Sequence, residues 1–582
     1  LLLLAALLLP ATAAVQAARE KYDVIVYGAD PEGIAAAVSA ARNGQRTLLA
    51  DPRPAPGGLF VYGMLNSLDL NRGLDGSPLT RGIFAEFLAG VGGRDSFDVA
   101  TAAAVFRRML DAEPGLTQVY GAGLGGVQTA LGYLTAVKLG GEWYAARSYI
   151  DASPDADLAA RAGAPYSIGR AELGETPLTM AATLVLKLAG VDWAAVTAAL
   201  NGDGDPLTGA TAYSAWGFGG IAAEYRPTGH DLQLRALNLG RQDDGSVLLN
   251  GLLLFGVDGL DPNSRRKAAD RARAEAEPLC VFLRARVPGF AGASCAGTAE
   301  ELYIRETRHI RGEYTLTVAD IMNGTDFPDK VCLASYPIDL QAYGPDEPCT
   351  IIGRPDRYAI PFRCLVPRGS GNLLVVGRSA SYTPVAAGSA RVVPAGMAEG
   401  QAAGVAAAVA GRHRSSFRLM LQKPELIAEM QDILRAQGAY LSDFTAVNPN
   451  AAHPQYRYAL SLMELGLVAG GYRNELGLDQ PLPRRRFAAL LQAAAKRSGF
   501  NERYWGRPLP LNGEAWDGDL DRRRAAEILL RILEFEPGAG KDAVSACVER
   551  GLLTPAIDDG ILTKGQCYEL ICRFLEYVKG KG

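Results

Sequence analysis

Near its start the chain alternates short apolar runs with an alanine-rich amphipathic stretch, and this order predicts a parallel α/β unit. Asp23 to Tyr27 is a β-branched apolar run of the kind that forms a buried parallel strand. A tight turn follows, then a helix over Glu32 to Arg42 closed by the C-cap signal Asn43-Gly44. Thr47 to Ala50 reads as a second strand, and Asp51 stands at its end. Further along, residues 177–200 carry a helical apolar period around Trp193, and 265–285 read as a charged helix. Leu232 to Leu239 and Val247 to Val257 look like strands joined at Asp244-Gly245, a hairpin signal. The stretch AWGFGG at 215–220 pairs two aromatics with glycines, as suits a loop over a pocket.

The spacing of the first unit carries chemistry. Gly28 permits the sharp exit from the first strand, and Gly33 lets the helix pack closely on the sheet. The helix N-terminus presents unpaired N–H groups and a positive dipole end, a ready site for a pyrophosphate. Asp51 lies 23 residues beyond Gly28, where it can accept hydrogen bonds from ribose hydroxyls. This is the fingerprint of a dinucleotide site that favours FAD or NAD over a 2′-phosphate. The middle glycine of the fingerprint is Asp30, which brings negative charge to the turn. On charge alone, Asp30→Gly should tighten cofactor binding.

Composition narrows the classes. With 59 basic against 63 acidic side chains in 582 residues there is no basic excess to neutralise phosphates, which argues against a nucleic-acid partner. Residues 1–17, LLLLAALLLPATAAVQA, form an apolar run ended by small residues, and they are expected to be a signal peptide clipped at its start. The protein is accordingly expected to be exported, secreted or attached to the cell envelope, with no integral membrane domain. Eight cysteines at 280, 295, 332, 349, 364, 547, 567 and 572 leave pairing open: Cys280 with Cys295 could bridge, or all could be buried thiols. Only four histidines exist, at no metal-ligand spacing, so no metal site is expected.

Six blocks in order make the reading more specific: GGLFVYGMLNSLDLNRGL at 57–74, LTRGIFAEFLAGVGG from 79, YIDASPDADLAARAG at 149–163, RETRHIRGEY at 305–314, YAIPFRCLVPRGSGNLLVVGR at 358–378 and SASYTPVAAGSARVVPAGMAEGQAAGVAAAVA at 379–410. Over about 22–440 they resemble secreted bacterial FAD-dependent oxidoreductases with a glutathione-reductase-like nucleotide-binding fold. The resemblance implies FAD as cofactor, held through Gly28, Asp30 and Gly33 at the pyrophosphate turn and Asp51 at the ribose. It further implies Gly57 and Gly58 beside the flavin side, and Asp155 and Asp157 in the strand-end motif, where Pro154 replaces the usual glycine. Gly377 and Arg378 would end the last strand of the FAD domain, and Gln401 would lie on the following helix, expected over Glu399 to Ala410. Arg305 and Arg308 are the catalytic candidates, as arginines that orient an anionic substrate or stabilise developing charge; structural ion pairing with Glu306 and Glu313 is the alternative. His309 is an acid/base candidate by type, and Tyr62, Asn66 and Asp69 are candidates for the flavin face.

The expected architecture is α/β: a Rossmann-like FAD domain over 18–164 and 346–412, interrupted by an α+β substrate domain at 165–345. A helical linker at 413–450 and a small all-α repeat domain at 451–582 follow. Leu482-PRRRFAAL, Leu520-DRRRAAEI and Leu562-TKGQCYEL repeat a leucine, a basic turn and a helix start. GYRNELGLDQPLPRRRFAALL resembles an S-layer homology module, which implies a cell-wall polymer as partner through Arg484 and Arg522. The function implied is transfer of a hydride or electron pair between a small molecule and flavin N5. The alternative is a non-catalytic envelope protein on a degenerate flavoprotein scaffold.

Overall fold

The computed structural model describes residues 20–174, 178–498, 509, 511, 516–538, 540–555, 557 and 559–580. The expected leader at 1–17 lies outside the described residues.

Two sheets organise the molecule. The first contains β1 (Glu20–Tyr27), β2 (Thr47–Asp51), β3 (Leu116–Tyr120), β4 (Leu124–Ala130), β5 (Tyr133–Leu139) and β6 (Glu142–Asp151) in the order β3-β2-β1-β6-β5-β4. β1 runs parallel to both β2 and β6. The strand Leu373–Val375 adds parallel to β6, so the chain returns to this sheet after more than two hundred intervening residues. Side chains alternate across β1: Val24 and Val26 enter one apolar cluster, Ile25 and Tyr27 another.

α1 (Pro31–Arg42) connects β1 to β2 and packs along the helix Val393–Arg412. Gly396, Gly400 and Gly404 give that contact its closeness. A Cβ on Gly400 would lie 2.1 Å from the Glu32 carbonyl oxygen, and one on Gly404 would lie 2.6 Å from the Ala40 amide nitrogen. The helix begins at Val393, six residues before the expected Glu399, with Pro394 in its first turn.

The second sheet lies in the insertion. Its strands run Gly209–Ala210, Ser214–Gly217, Leu232–Arg241, Val247–Leu254, Leu186–Ala189 and Ser294–Thr298, with Ala182–Thr183 added to Val247–Leu254. The expected hairpin is present, and its strands pair antiparallel. The helix expected across 177–200 is not: residue 177 lies outside the described residues, and among 178–200 Ala182–Thr183 and Leu186–Ala189 are strands, with helix confined to Trp193–Asn201. Gly190 at φ +74° and Asp192, whose carboxylate caps the Ala195 amide, separate the two states. Leu184, Leu186 and Leu188 are completely buried in the insertion's own core, and pairing on both sides wins over the helical period. The expected charged helix spans Pro262–Arg286.

Beyond residue 413 the described elements are helical. The three repeat segments meet: the Leu482 amide donates to the Leu562 carbonyl at 3.3 Å, and the Leu562 amide to the Leu520 carbonyl at 2.8 Å. Helices then start at Arg484, Arg522 and Lys564, the last with a Thr563–Gln566 capping box. The apolar cluster on one face of the first sheet continues into these helices through Met463, Leu491 and Phe574. Among the described residues, no helix is long and apolar enough to cross a membrane. All eight cysteines are thiols; Cys280 lies in the insertion's core with Cys295 packed against that cluster, and burial pushes the Cys280 thiol up to about 12.

Candidate functional site

A cavity of about 620 Å³ opens where β1, β2 and β6 end. Gly28 leaves β1 at φ +105°, and a Cβ there would sit 2.5 Å from the Ala152 carbonyl, so only glycine fits between the two strand ends. Gly33 serves the same closure from the helix, since its Cβ would approach the Gly28 oxygen to 1.9 Å. Asp51 accepts from the Ala29 amide at 2.5 Å and the Arg53 amide at 2.7 Å while lining the cavity. Burial raises its carboxyl to about 6.

The Asp30 charge is compensated. One carboxylate oxygen accepts from Arg53 Nη1 at 2.7 Å, and the other accepts from the Leu59 amide at 2.9 Å. Arg53 also reaches Asp51 at 3.3 Å and binds Glu301 in the insertion through Nε at 3.0 Å. Gly57 and Gly58 do not line the cavity. They make room for this carboxylate: a Cβ on Gly58 would fall 1.8 Å from Asp30 Oδ1, and Gly57 donates its amide to the Ala29 carbonyl.

Opposite the turn, Asp155 Oδ1 accepts from Arg378 Nη2 at 2.6 Å and from the Thr307 hydroxyl at 2.6 Å. Asp155, Asp157, Gly377 and Arg378 all line the cavity. The left-handed residue of the strand-end turn is Ala156 at φ +51°, and the Pro154 carbonyl accepts from the Ser379 hydroxyl, so proline at 154 is accommodated. Glu399, fully buried, holds the Gly377 amide at 2.9 Å and the Tyr382 hydroxyl at 2.5 Å; burial raises it to about 8. The N-terminus of α1 and the start of Val393–Arg412 both open onto the space, and Arg265, Arg266 and Arg273 edge it from the insertion.

A second cavity of about 560 Å³ adjoins the first. Asp69, Tyr303, Arg305 and Arg391 line both, and so mark where the two meet. Arg305 is buried; its Nη1 donates to the Ala181 carbonyl at 2.7 Å and the Thr183 hydroxyl at 2.9 Å. Burial lowers its pKa to about 10. Among the described residues no carboxylate lies within 4.0 Å of Arg235, Arg305 or Arg391. Asp69 shares the second cavity with Tyr336, and burial raises its carboxyl above the usual range while Arg391 pulls it down.

The FAD dependent oxidoreductase family model matches residues 23–434. The chain belongs to this family. It is an FAD-dependent oxidoreductase. Among solved structures, a geranylgeranyl bacteriochlorophyll reductase-like protein from Thermoplasma acidophilum is 13% identical over 82% of this chain and 96% of its own, with a TM-score of 0.35. The p-nitrophenol 4-monooxygenase of Pseudomonas putida is 11% identical over 83% and 100%, at 0.32, and a flavin-dependent brominase is 12% identical over 76% and 93%, at 0.36. No curated protein matches the chain.

The residues of this flavoenzyme fit FAD. Two helix N-termini face the cavity, Gly28 lets backbone approach closely, and Arg53 and Arg378 offset the acidic groups of the walls. Several expected residues lie elsewhere. Gln401 is buried away from the cavity, where its Oε1 accepts from the Ile83 amide at 3.0 Å and starts a helix. Arg308 pairs with Asp157 at 2.8 Å and the Asp155 carbonyl, holding the strand-end turn from behind. Its partner is thus neither Glu306 nor Glu313. His309 is buried on Glu306 at 2.9 Å, outside both cavities, and Asn66 is spent on the Phe97 carbonyl.

Sequence reasoning missed Arg53, Arg235 and Arg391. Arg235 had a readable signal: in LQLRALNL the leucine alternation slips by one at Arg235-Ala236, and the strand pairing breaks register between Leu234 and Asn238. That bulge sets Arg235 on the second cavity.

Proposed function

We propose that this oxidoreductase acts on a small molecule held in the second cavity, with the reacting centre at the junction of the two cavities. The observation that carries the reading is that the two cavities share seven lining residues, four of which, Asp69, Tyr303, Arg305 and Arg391, bear ionisable groups. FAD, when bound, supplies the two-electron acceptor at its N5. Arg305 and Arg391 orient an anionic group and stabilise negative charge in a water-poor site. Asp69 takes the proton that a substrate hydroxyl or amine gives up on oxidation. Anaerobic addition of substrates should bleach the flavin absorption of the purified protein. Arg305→Met should slow that bleaching while flavin content stays the same; equal bleaching rates would remove Arg305 from the reaction.

We further propose that the protein is an exported enzyme whose helical tail grips an anionic wall polymer. The support for this is the leader-like composition of 1–17 and the convergence of the three repeat segments, each followed by a basic helix start. Arg522 is within 3.4 Å of Asp559, and Arg484 donates to the Asp519 carbonyl, so both side chains are held in place. Purified protein should co-sediment with isolated cell walls and lose this when Arg484 and Arg522 are both changed to Gln. Sedimentation that ignores both substitutions would end the proposal.

A further inference from the structure

The second cavity differs from an ordinary apolar ligand pocket. Many of its lining residues carry hydrogen-bonding groups, with carboxylates, amides, hydroxyls and guanidiniums set beside a comparable apolar surface, whereas small-molecule sites commonly hold only a few polar groups. Arg235 donates to Gln341, whose amide in turn holds both Asp339 carboxylate oxygens, at 2.8 and 2.9 Å. Asp95 accepts from the Ser214 hydroxyl at 2.6 Å on another wall. Against this polar lining stand two large aromatics, Trp216 and Tyr472, which are 41% and 49% exposed. An indole and a phenol that each keep an accessible face on one polar cavity offer apolar platforms that a ligand ring can cover.

The two aromatics come from distant parts of the chain. Trp216 lies on the strand Ser214–Gly217, its ring resting where Gly209 leaves room: a Cβ there would sit 2.9 Å from the indole. Tyr472 belongs to the tail, in the short 3-10 turn Gly471–Arg473. That turn is fixed to the FAD-binding part by three hydrogen bonds. The Gly470 amide donates to the Ile352 carbonyl at 2.8 Å, and the Asn474 side chain both accepts from the Arg354 amide at 2.8 Å and donates to its carbonyl at 2.7 Å. Tyr472 lines the second cavity together with Asp69 and Asp339, and burial raises its hydroxyl pKa.

We infer that the second cavity binds a polyhydroxylated ring carrying a carboxylate, a sugar acid, with the ring face on Trp216 and Tyr472 and the carboxylate on the guanidiniums of Arg235, Arg305 and Arg391. The C–H face of a pyranose is flat and apolar and suits an aromatic platform, while vicinal hydroxyls pair with carboxylate and amide groups such as Asp339 and Gln341. A carboxylate matches guanidinium donors that, among the described residues, have no acidic partner within ion-pair distance. The inference deepens the proposed function, and rests on the second cavity being its substrate site. It also makes the tail part of that site through Tyr472.

The test uses the full-length, FAD-loaded protein and a panel of D-glucuronate, D-galacturonate and D-mannuronate, with D-glucose, glucuronamide and benzoate as comparators. Binding is read by intrinsic tryptophan fluorescence and calorimetry. At least one uronate should bind saturably and its neutral counterparts roughly tenfold or more weaker. Trp216→Ala and Tyr472→Ala should each weaken that uronate about tenfold, with flavin content and thermal stability unchanged. Absence of binding by every uronate, uronate affinity unchanged in both variants, or binding of benzoate alone would each overturn the inference. Protein that retains flavin and bleaches with another substrate, yet fails these tests, leaves the redox reading standing. Protein that bleaches with nothing fails the redox reading separately.

Discussion

Asp69→Asn should lower kcat on the order of 10²- to 10⁴-fold while the protein keeps its flavin, because a positioned base contributes about that much to proton removal. Asp69 is the carboxylate at the meeting of the two cavities, with Arg391 lining the same junction and Tyr336 the second cavity. Its folded pKa lies above the ordinary aspartate value, chiefly through burial. A base works only when deprotonated, so the rate should be full at high pH. It should fall as pH drops through a value above 3.8, the ordinary carboxyl position. Rapid-reaction measurement of flavin bleaching against pH checks both points. In Asp69→Asn the acid limb should vanish along with the rate; a variant with the wild-type rate and profile would show that Asp69 is not the base.

Arg53→Met should cost about 3–5 kcal/mol of stability, the range for removing one partner of a buried ion pair. Its guanidinium lies between Asp30 and Asp51, whose side chains are 6% and 1% exposed, and no other cation pairs with either among the described residues. Urea unfolding of the cofactor-free protein reads the loss. Flavin retention on gel filtration should fall as well, since Asp51 and the turn at Asp30 edge the cofactor cavity. Asp30→Gly should now weaken flavin retention, the reverse of the expectation from charge alone, because Asp30 also anchors the Leu59 amide. Adding Asp30→Asn to Arg53→Met should recover part of the lost stability, since contacting groups are not additive. Fully additive losses would show that the two side chains do not act together.

The βαβ unit was readable because its requirements are local. A strand exit at positive φ, a helix N-terminus and an acid at the next strand end follow from neighbouring residues, and Gly28, Gly33 and Asp51 occupy those places. The segment 177–200 was misread because a short apolar run such as 184–189 cannot be told from a buried helix segment by periodicity alone. Asp30 was read as a defect because its compensating Arg53 sits beyond the second strand, outside the fingerprint. Arg308 and Gln401 were placed on the right segments, but the direction of each side chain depends on packing rather than on position in a motif.

The sequence by itself determined that this is an α/β flavoprotein and where its first βαβ turn lies. Those features reside in short-range spacing and in blocks that survive without knowledge of contacts. Only the tertiary structure decided which residues share the site, because Asp69, Arg235, Arg305, Arg391 and Tyr472 are scattered across some four hundred positions and meet through long-range packing. The same packing turned an unfavourable aspartate into an ion-paired anchor and carried a tyrosine of the tail to the edge of the second cavity.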